Sequence, residues 1–354
     1  MSESVPVSES VSVPASGAVP KAAATPGPAP EPGERPPAPG REAVRFASAG
    51  TDCAAWHYPT RNGACVIMAG GFAVTKEPAT NLFARRFHEA GYGVLAFDYR
   101  RIGESGGEPR QVVRNGDQVA DWHAAIEFAR TLPGVDPARI AVWGFSLSGG
   151  HVIKVAAQSP DVAAAIAQTP NPDGQVVARN ALRHQKPGAM LRFTGLAVID
   201  SIVGVFGRPA LTVPLGGPPG SVSALTTPDV VETDQALGAA NGGSSNWLPA
   251  VAARSALASG FYRPGRYASQ VRCPLLVVVC DQDQSAVPGP ALQVAEDAPR
   301  GELVRLPGMH YAPFLAAHEE AVAAQLAFLE RHVGGSGGQA APGARAAATG
   351  NAHG

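Results

Sequence analysis

Charge is scarce in this 354-residue chain: Asp, Glu, Lys and Arg make up 16% of it, and 28 basic against 29 acidic residues leave a formal net charge of -1. With no excess of either sign, nothing draws the chain to a nucleic-acid backbone or to an anionic membrane surface. Cysteine is rare as well. Cys53, Cys65, Cys273 and Cys280 are widely scattered and lack the C-x-x-C spacing of a metal or redox site; Cys65 and Cys280 fall in apolar runs and read as small core residues. No run approaches the roughly 18 apolar residues of a membrane span. The opening M-S-E-S-V-P-V-S-E-S carries acids where a signal peptide needs a basic segment and then an apolar one. These absences lead to the expectation of a cytoplasmic, disulfide-free protein that acts on a small molecule, with no nucleic-acid or membrane partner, no metal and no cofactor.

Glycine and proline are plentiful, at 41 and 33 residues. Both ends are crowded with Pro, Ala, Ser or Gly and have no apolar periodicity, so residues 1–41 and 334–354 are expected to be disordered tails. The folded body then spans residues 42–333. Two short strands are predicted at Ala43 to Phe46 and Ala54 to Tyr58 as an antiparallel pair. Fully apolar strands follow at Cys65 to Ala69 and Gly93 to Phe97, separated by a helix from Pro78 to Ala90 that carries Leu82, Phe83 and Phe87 on one face. A helix from Gly116 to Thr131, a strand from Ile140 and a strand from Val162 to Ala167 continue the alternation, which is that of a doubly wound parallel sheet. From 171 to 270 it fails. That segment holds an apolar helical stretch, Met190 to Phe206, then a Pro/Gly-rich run, then a second helical patch, Asn246 to Ala258. The strand Leu275 to Cys280, a helix from Pro290 to Asp297, a strand from Glu302 to Leu306 and a last helix from His318 to His332 complete the pattern. Gly91-Tyr92-Gly93 loosely matches a dinucleotide fingerprint, but it precedes a strand instead of opening a helix and is discounted.

The centre of this pattern is Arg139 to His151, R-I-A-V-W-G-F-S-L-S-G-G-H. An apolar strand stops at Gly144, Ser146 stands two residues later, and a helix begins by His151. A serine on so sharp a turn needs small neighbours at minus two and plus two, because the strand end and the helix start pass close there. Gly144 and Ser148 satisfy that requirement. The register that would make Ser148 the nucleophile is rejected, since it already lies in the helix. The turn also sets the Leu147 N–H at a helix N-terminus, where an oxyanion is stabilised.

A serine hydroxyl becomes a nucleophile only with a base to take its proton and a carboxylate to orient that base. After the strand L-L-V-V-V-C come Asp281 and Asp283, and after the next strand comes His310; either aspartate can be the acid, the other capping the following helix. Of the remaining histidines, His57, His88, His123, His184, His318 and His332 fall in regular elements or in residues 171–270, and His353 in the C-terminal tail. His151, on the helix after Ser146, has at most a supporting role.

Gly144-Phe145-Ser146-Leu147-Ser148 resembles the G-x-S-x-G nucleophile elbow of the α/β-hydrolase superfamily, with Ser148 in place of the second glycine. The whole of residues 42–333 is similar to that superfamily, in its dienelactone-hydrolase and esterase-like branch with a cap insertion. The resemblance implies an α/β fold, a mostly parallel doubly wound sheet with a core of residues 42–170 and 271–333 and an inserted helical cap at 171–270. It implies the chain order serine, acid, histidine, hence Ser146, Asp283 and His310, with Asp283 preferred over Asp281 because the second aspartate of the D-x-D pattern usually meets the histidine. It also implies an oxyanion hole from the N–H groups of Leu147 and of Phe72, in Gly70-Gly71-Phe72. Asp98-Tyr99-Arg100-Arg101-Ile102-Gly103-Glu104-Ser105 resembles a D-x-R-x-x-G-x-S loop of many relatives and reads as scaffolding. The implied activity is hydrolysis of an ester or thioester through an acyl-enzyme. Leu191, Phe193, Leu196, Phe206 and Trp247 suggest an apolar acyl or alcohol portion. The alternatives are a ligand-sensing protein on the same fold, without turnover or with very slow turnover, or a C–C hydrolase or peptidase.

Overall fold

The structure, a computed structural model, describes residues 40–238 and 247–334. The tails expected at residues 1–41 and 334–354 lie outside them except at their inner ends. There the body begins earlier than expected: Arg41 pairs with Glu77 at 2.7 Å and lies over the Trp56 ring.

An eight-stranded sheet forms the centre. Strands β1 (Glu42–Ser48) and β2 (Thr51–Tyr58) are an antiparallel pair at one edge, and β2 pairs antiparallel with β4 (Gly93–Phe97). From there on all pairing is parallel, through β3 (Cys65–Ala69), β5 (Ile140–Phe145), β6 (Ala164–Gln168), β9 (Leu275–Cys280) and β10 (Gly301–Leu306), in the order β1-β2-β4-β3-β5-β6-β9-β10. Every residue of β3, β4, β5, β6 and β9 is buried, which is why these strands read as apolar runs, broken only by Gln168 at the end of β6. Helices α2 (Asn115–Ala129), α3 (Leu147–Gln158) and α8 (Pro288–Asp297) pack on one face, and α1 (Lys76–Glu89) lies beside the last helix, α9 (His318–Val333), on the other, as right-handed crossovers from strand order β4-β3-β5 require. The doubly wound sheet expected from the alternation is thus present. All four cysteines are free and buried.

The β6–β9 connection departs most from expectation. It opens with an unanticipated helix, α4 (Gly174–Arg183), whose N-terminus is capped by the Asp173 carboxylate accepting from the N–H groups of Gln175 and Val176. Helix α5 (Pro187–Val205) follows, and then β7 (Thr212–Pro214), the short α6 (Thr233–Leu237) and β8 (Ala250–Ala252), which pairs with β7. Only Ala253–Ser259, α7, is helical in the patch expected from Asn246 to Ala258, and Asn246 itself lies outside the described residues. At three residues each, β7 and β8 are too short to leave a periodic trace. Helix α5 also corrects the reading of hydropathy: at 19 residues and a mean hydropathy of 1.5 it is long and apolar enough to cross a membrane by length and composition. Its outer side exposes Leu191, Val198, Ile199, Ile202 and Val205.

Candidate active site

The turn at Ser146 is tighter than the sequence implied. Strand β5 runs to Phe145 and α3 begins at Leu147, so one residue, Ser146, makes the whole reversal. Its φ of 58° lies in the left-handed region, a strain of about 1–3 kcal/mol that the surroundings must hold. They do so through the main chain: the Ser146 N–H donates to the Gln168 carbonyl at 2.9 Å, and the Ser146 carbonyl accepts from Gly150 at 3.1 Å and Asn171 at 2.9 Å. The need for small neighbours is met literally. A Cβ on Gly144 would stand 2.3 Å from the Ser148 carbonyl oxygen, and one on Gly71 would stand 3.1 Å from Ser146 Cβ.

Ser148 is buried inside α3 and is occupied there. Its hydroxyl donates to the Gly70 carbonyl and accepts from the Tyr99 hydroxyl, which in turn accepts from Trp122 Nε1 at 2.7 Å. Each hydroxyl in this relay gives one proton and receives one. The serine in the second glycine's place is therefore the tie between the turn and the loop after β3.

Two further loops deliver the partners. Asp283 follows β9 and His310 follows β10, and both are almost wholly buried. His310 Nδ1–H donates to Asp283 Oδ2 at 2.7 Å, which leaves Nε2 to accept from Ser146 Oγ at 3.0 Å. Asp283 Oδ1 accepts from the Ala286 N–H at 2.6 Å. Asp281 turns outward to Arg305 at 2.8 Å, so of the two candidate acids only Asp283 reaches the histidine. Burial disfavours the charged imidazole of His310, but Asp283 beside it, reinforced by Asp229 and Glu232, outweighs burial and raises its pKa.

Ser146 and His310 face a cavity of about 500 Å³. Phe72 and Leu147, the two expected oxyanion residues, line it. As the first residue of α3, Leu147 has an N–H with no partner within the helix. Val74, Phe145, Met190 and Phe193 make much of the wall apolar, with Asn171 and Gln175 among the polar groups. Of the five apolar residues singled out in the β6–β9 connection, Phe193 alone lines this cavity. Leu191 and Phe206 are 75% exposed, Leu196 packs against the core, and Trp247 donates from Nε1 to the Ala73 carbonyl at 3.0 Å. Their hydrophobicity carried no information on which way they point.

The loop after β4 is scaffolding, as expected. Asp98 accepts from Lys76 Nζ at 2.9 Å and Arg100 pairs with Asp121 at 2.6 Å. His151 is buried and linked to Gln118 Oε1 at 2.8 Å and to the Tyr262 hydroxyl at 2.9 Å, away from Ser146. Sequence reasoning overlooked Asp229, a fully buried carboxylate in the turn Pro228–Glu232. An aspartate directly after Thr-Pro was the available signal, and it reads more naturally as a turn residue.

A mostly parallel sheet with a serine at the strand-to-helix turn after its central strand defines an α/β hydrolase. Residues 60–311 match the family described as serine aminopeptidase, S33, and the chain belongs to this α/β-hydrolase family. It is 36% identical over 294 residues to the quorum-quenching protein AidA of Acinetobacter baumannii, covering 82% of this chain and 94% of that protein. It is 43% identical over 95 residues to thiohydrolase aneE of Aspergillus aculeatus, 27% of this chain and 30% of that relative. Among solved structures it is similar to the α/β hydrolase GrgF from Penicillium sp. sh18, with a TM-score of 0.69, 25% identity, and 83% and 99% of the two chains covered.

Proposed function

We propose that the protein is a serine hydrolase that cleaves an ester or thioester of a small to medium, partly apolar substrate through an acyl-enzyme intermediate. The observation that carries this reading is the unbroken line from Asp283 Oδ2 through His310 to Ser146 Oγ at 2.7 and 3.0 Å, opening on a largely apolar cavity of about 500 Å³. Ser146 Oγ attacks the carbonyl carbon while His310 Nε2 takes its proton. Asp283 holds the ring in the required tautomer and stabilises the imidazolium that forms. The N–H groups of Phe72 and Leu147 receive the negative charge on the carbonyl oxygen. Collapse of the tetrahedral adduct expels the alcohol or thiol, which takes the proton from His310. Water then repeats the sequence, with His310 as base, and releases the acid. The described residues of 171–270 that line the cavity, among them Gln175, Met190 and Phe193, act as a cap that shapes the acyl and leaving-group pockets. The similarity of a 95-residue stretch to a thiohydrolase supports the thioester side of this reading.

The test is the reaction of the full chain with a fluorophosphonate probe and with p-nitrophenyl esters of graded length. The expected result is stoichiometric labelling of Ser146, turnover of the esters, and loss of both in Ser146→Ala. Turnover by Ser146→Ala at the parent rate overturns the reading, and so does a parent that neither labels nor turns over.

A further inference from the structure

Three successive backbone N–H groups follow Asp283, and two carboxylates divide them. Ala286 donates to Asp283 itself at 2.6 Å, whereas Gln284 and Ser285 donate to Asp229 Oδ2 at 2.8 and 2.9 Å. Asp229 belongs to the β6–β9 connection, more than fifty residues earlier in the chain. Two neighbours in that connection grip the same short segment: Thr227 and Ser285 share a hydroxyl hydrogen bond at 2.7 Å, and Asn180 Nδ2 donates to the Gln284 carbonyl at 2.7 Å.

Asp229 is an odd residue to find there. It is fully buried, no cation pairs with it among the described residues, and its Oδ1 has no hydrogen-bond partner. Burying a carboxylate without a countercharge costs several kcal/mol, and a neutral acceptor would serve as well for a simple loop anchor. Through those N–H groups the carboxylate stands beside the Asp283 loop, close enough for its charge to act on His310. Burial, with Asp283 adding to it, raises the pKa of Asp229 above the usual carboxylate range although the Gln284 and Ser285 N–H groups and His310 pull it down, and Asp229 in turn raises that of His310.

We propose that Asp229 is a positioning residue for the Asp283–His310 pair: it draws off the Gln284 and Ser285 N–H groups, keeps Asp283 Oδ2 free for the imidazole, and adds a second negative charge behind the imidazolium. Without it, two unsatisfied donors beside Asp283 would compete with His310 for that carboxylate, and each hydrogen bond gained there would weaken its pull on the ring. The grip comes from the connection that also lines the cavity, so the substrate-facing segment and the orientation of the acid are set by one piece of chain. Among the described residues, the titratable groups that act on or touch His310 are Asp283 after β9, Asp229 and Glu232 from the Pro228–Glu232 turn, and Tyr311, whose hydroxyl bonds the Thr233 side chain. Of these, apart from Asp283 itself, Asp229 alone both holds the Asp283 loop and bears on the imidazole.

The inference rests on the serine-hydrolase reading, and the full chain tests it with one p-nitrophenyl ester across pH, with rates referred to fluorophosphonate-labelled sites. Asp229→Asn keeps an oxygen for both N–H groups and removes the charge. Its acid limb of kcat/KM is expected about 0.5–1 pH unit below that of the parent, since loss of a nearby negative charge lowers the imidazole pKa. Asp229→Ala also releases the loop, and kcat is expected to fall about 10- to 100-fold with KM within about twofold, as for a misplaced reacting group. A purely structural anchor would lower thermal stability in both variants without moving the limb. An Asp229→Asn profile that superimposes on the parent overturns the proposal, as does an Asp229→Ala loss confined to KM. Should Asp229→Ala not fold, the Asp229→Asn limb decides by itself. A parent that neither labels nor turns over removes the serine-hydrolase reading; a labelled, active parent with unaltered variants removes only the role of Asp229.

Discussion

Asp283 Oδ2 stands 2.7 Å from His310 Nδ1, while Asp281, two residues earlier, stands 2.8 Å from Arg305 at the surface. The two aspartates are therefore expected to separate cleanly in kinetics. Asp283→Asn leaves a group that can no longer fix the imidazole tautomer, and kcat on a p-nitrophenyl ester should drop about 10³- to 10⁴-fold. Asp281→Asn gives up a partly exposed ion pair worth under about 1 kcal/mol and should leave kcat within about threefold of the parent. Equal losses in the two variants would contradict the assignment.

His151 bears on acid stability instead of chemistry. Burial, with Lys154 adding to it, pushes its pKa down to about 3, so the folded protein keeps it neutral. The unfolded chain takes up that proton below a pH of about 6.5. Its contribution to stability is thus complete above that pH and is lost as pH falls from there towards about 3, amounting to about 2 kcal/mol by pH 5. In His151→Gln the fall in unfolding free energy, from urea titrations at pH 7 and pH 5, should be smaller by that amount. An identical pH dependence in the variant would refute the assignment.

Ser148→Ala cuts the relay from Trp122 through Tyr99 to Gly70 in its middle. The Gly70 carbonyl and the Tyr99 hydroxyl each lose a buried partner, and a loss of about 1–3 kcal/mol in unfolding free energy is expected. Because Gly70 begins the loop that carries Phe72, kcat should fall as well, with little change in KM. If the variant matches the parent in both stability and kcat, Ser148 is only a small residue filling the place of a glycine.

The parts of this protein legible in its sequence are those where one physical demand dominates. Strands buried on both faces must be apolar throughout, so β3, β4, β5 and β9 could be read with nearly their observed bounds. The turn at Ser146 needs small neighbours, and Gly144 advertised it. The chain order implied by the family resemblance brought out His310 with Asp281 or Asp283, and only the resemblance's D-x-D pattern preferred Asp283. The β6–β9 connection obeys no comparable demand. Strands β7 and β8 are too short for periodicity, α4 declares itself chiefly through its Asp173 cap, and apolar residues of α5 such as Leu191 point outward although composition alone would bury them. Asp229 was illegible for another reason: its partners are backbone N–H groups, which every residue but proline carries.

The main chain at Ser146 has one consequence for how the protein ages under heat. Its positive φ is a loaded spring, and the three bonds that hold it run to α3, to the end of β6 and to the residues just beyond it. Release of the turn requires these bonds between the β5–α3 junction, the end of β6 and the loop after it to break. Loss of the nucleophile's geometry on heating should therefore go together with loosening of the β5–α3 junction and the end of β6.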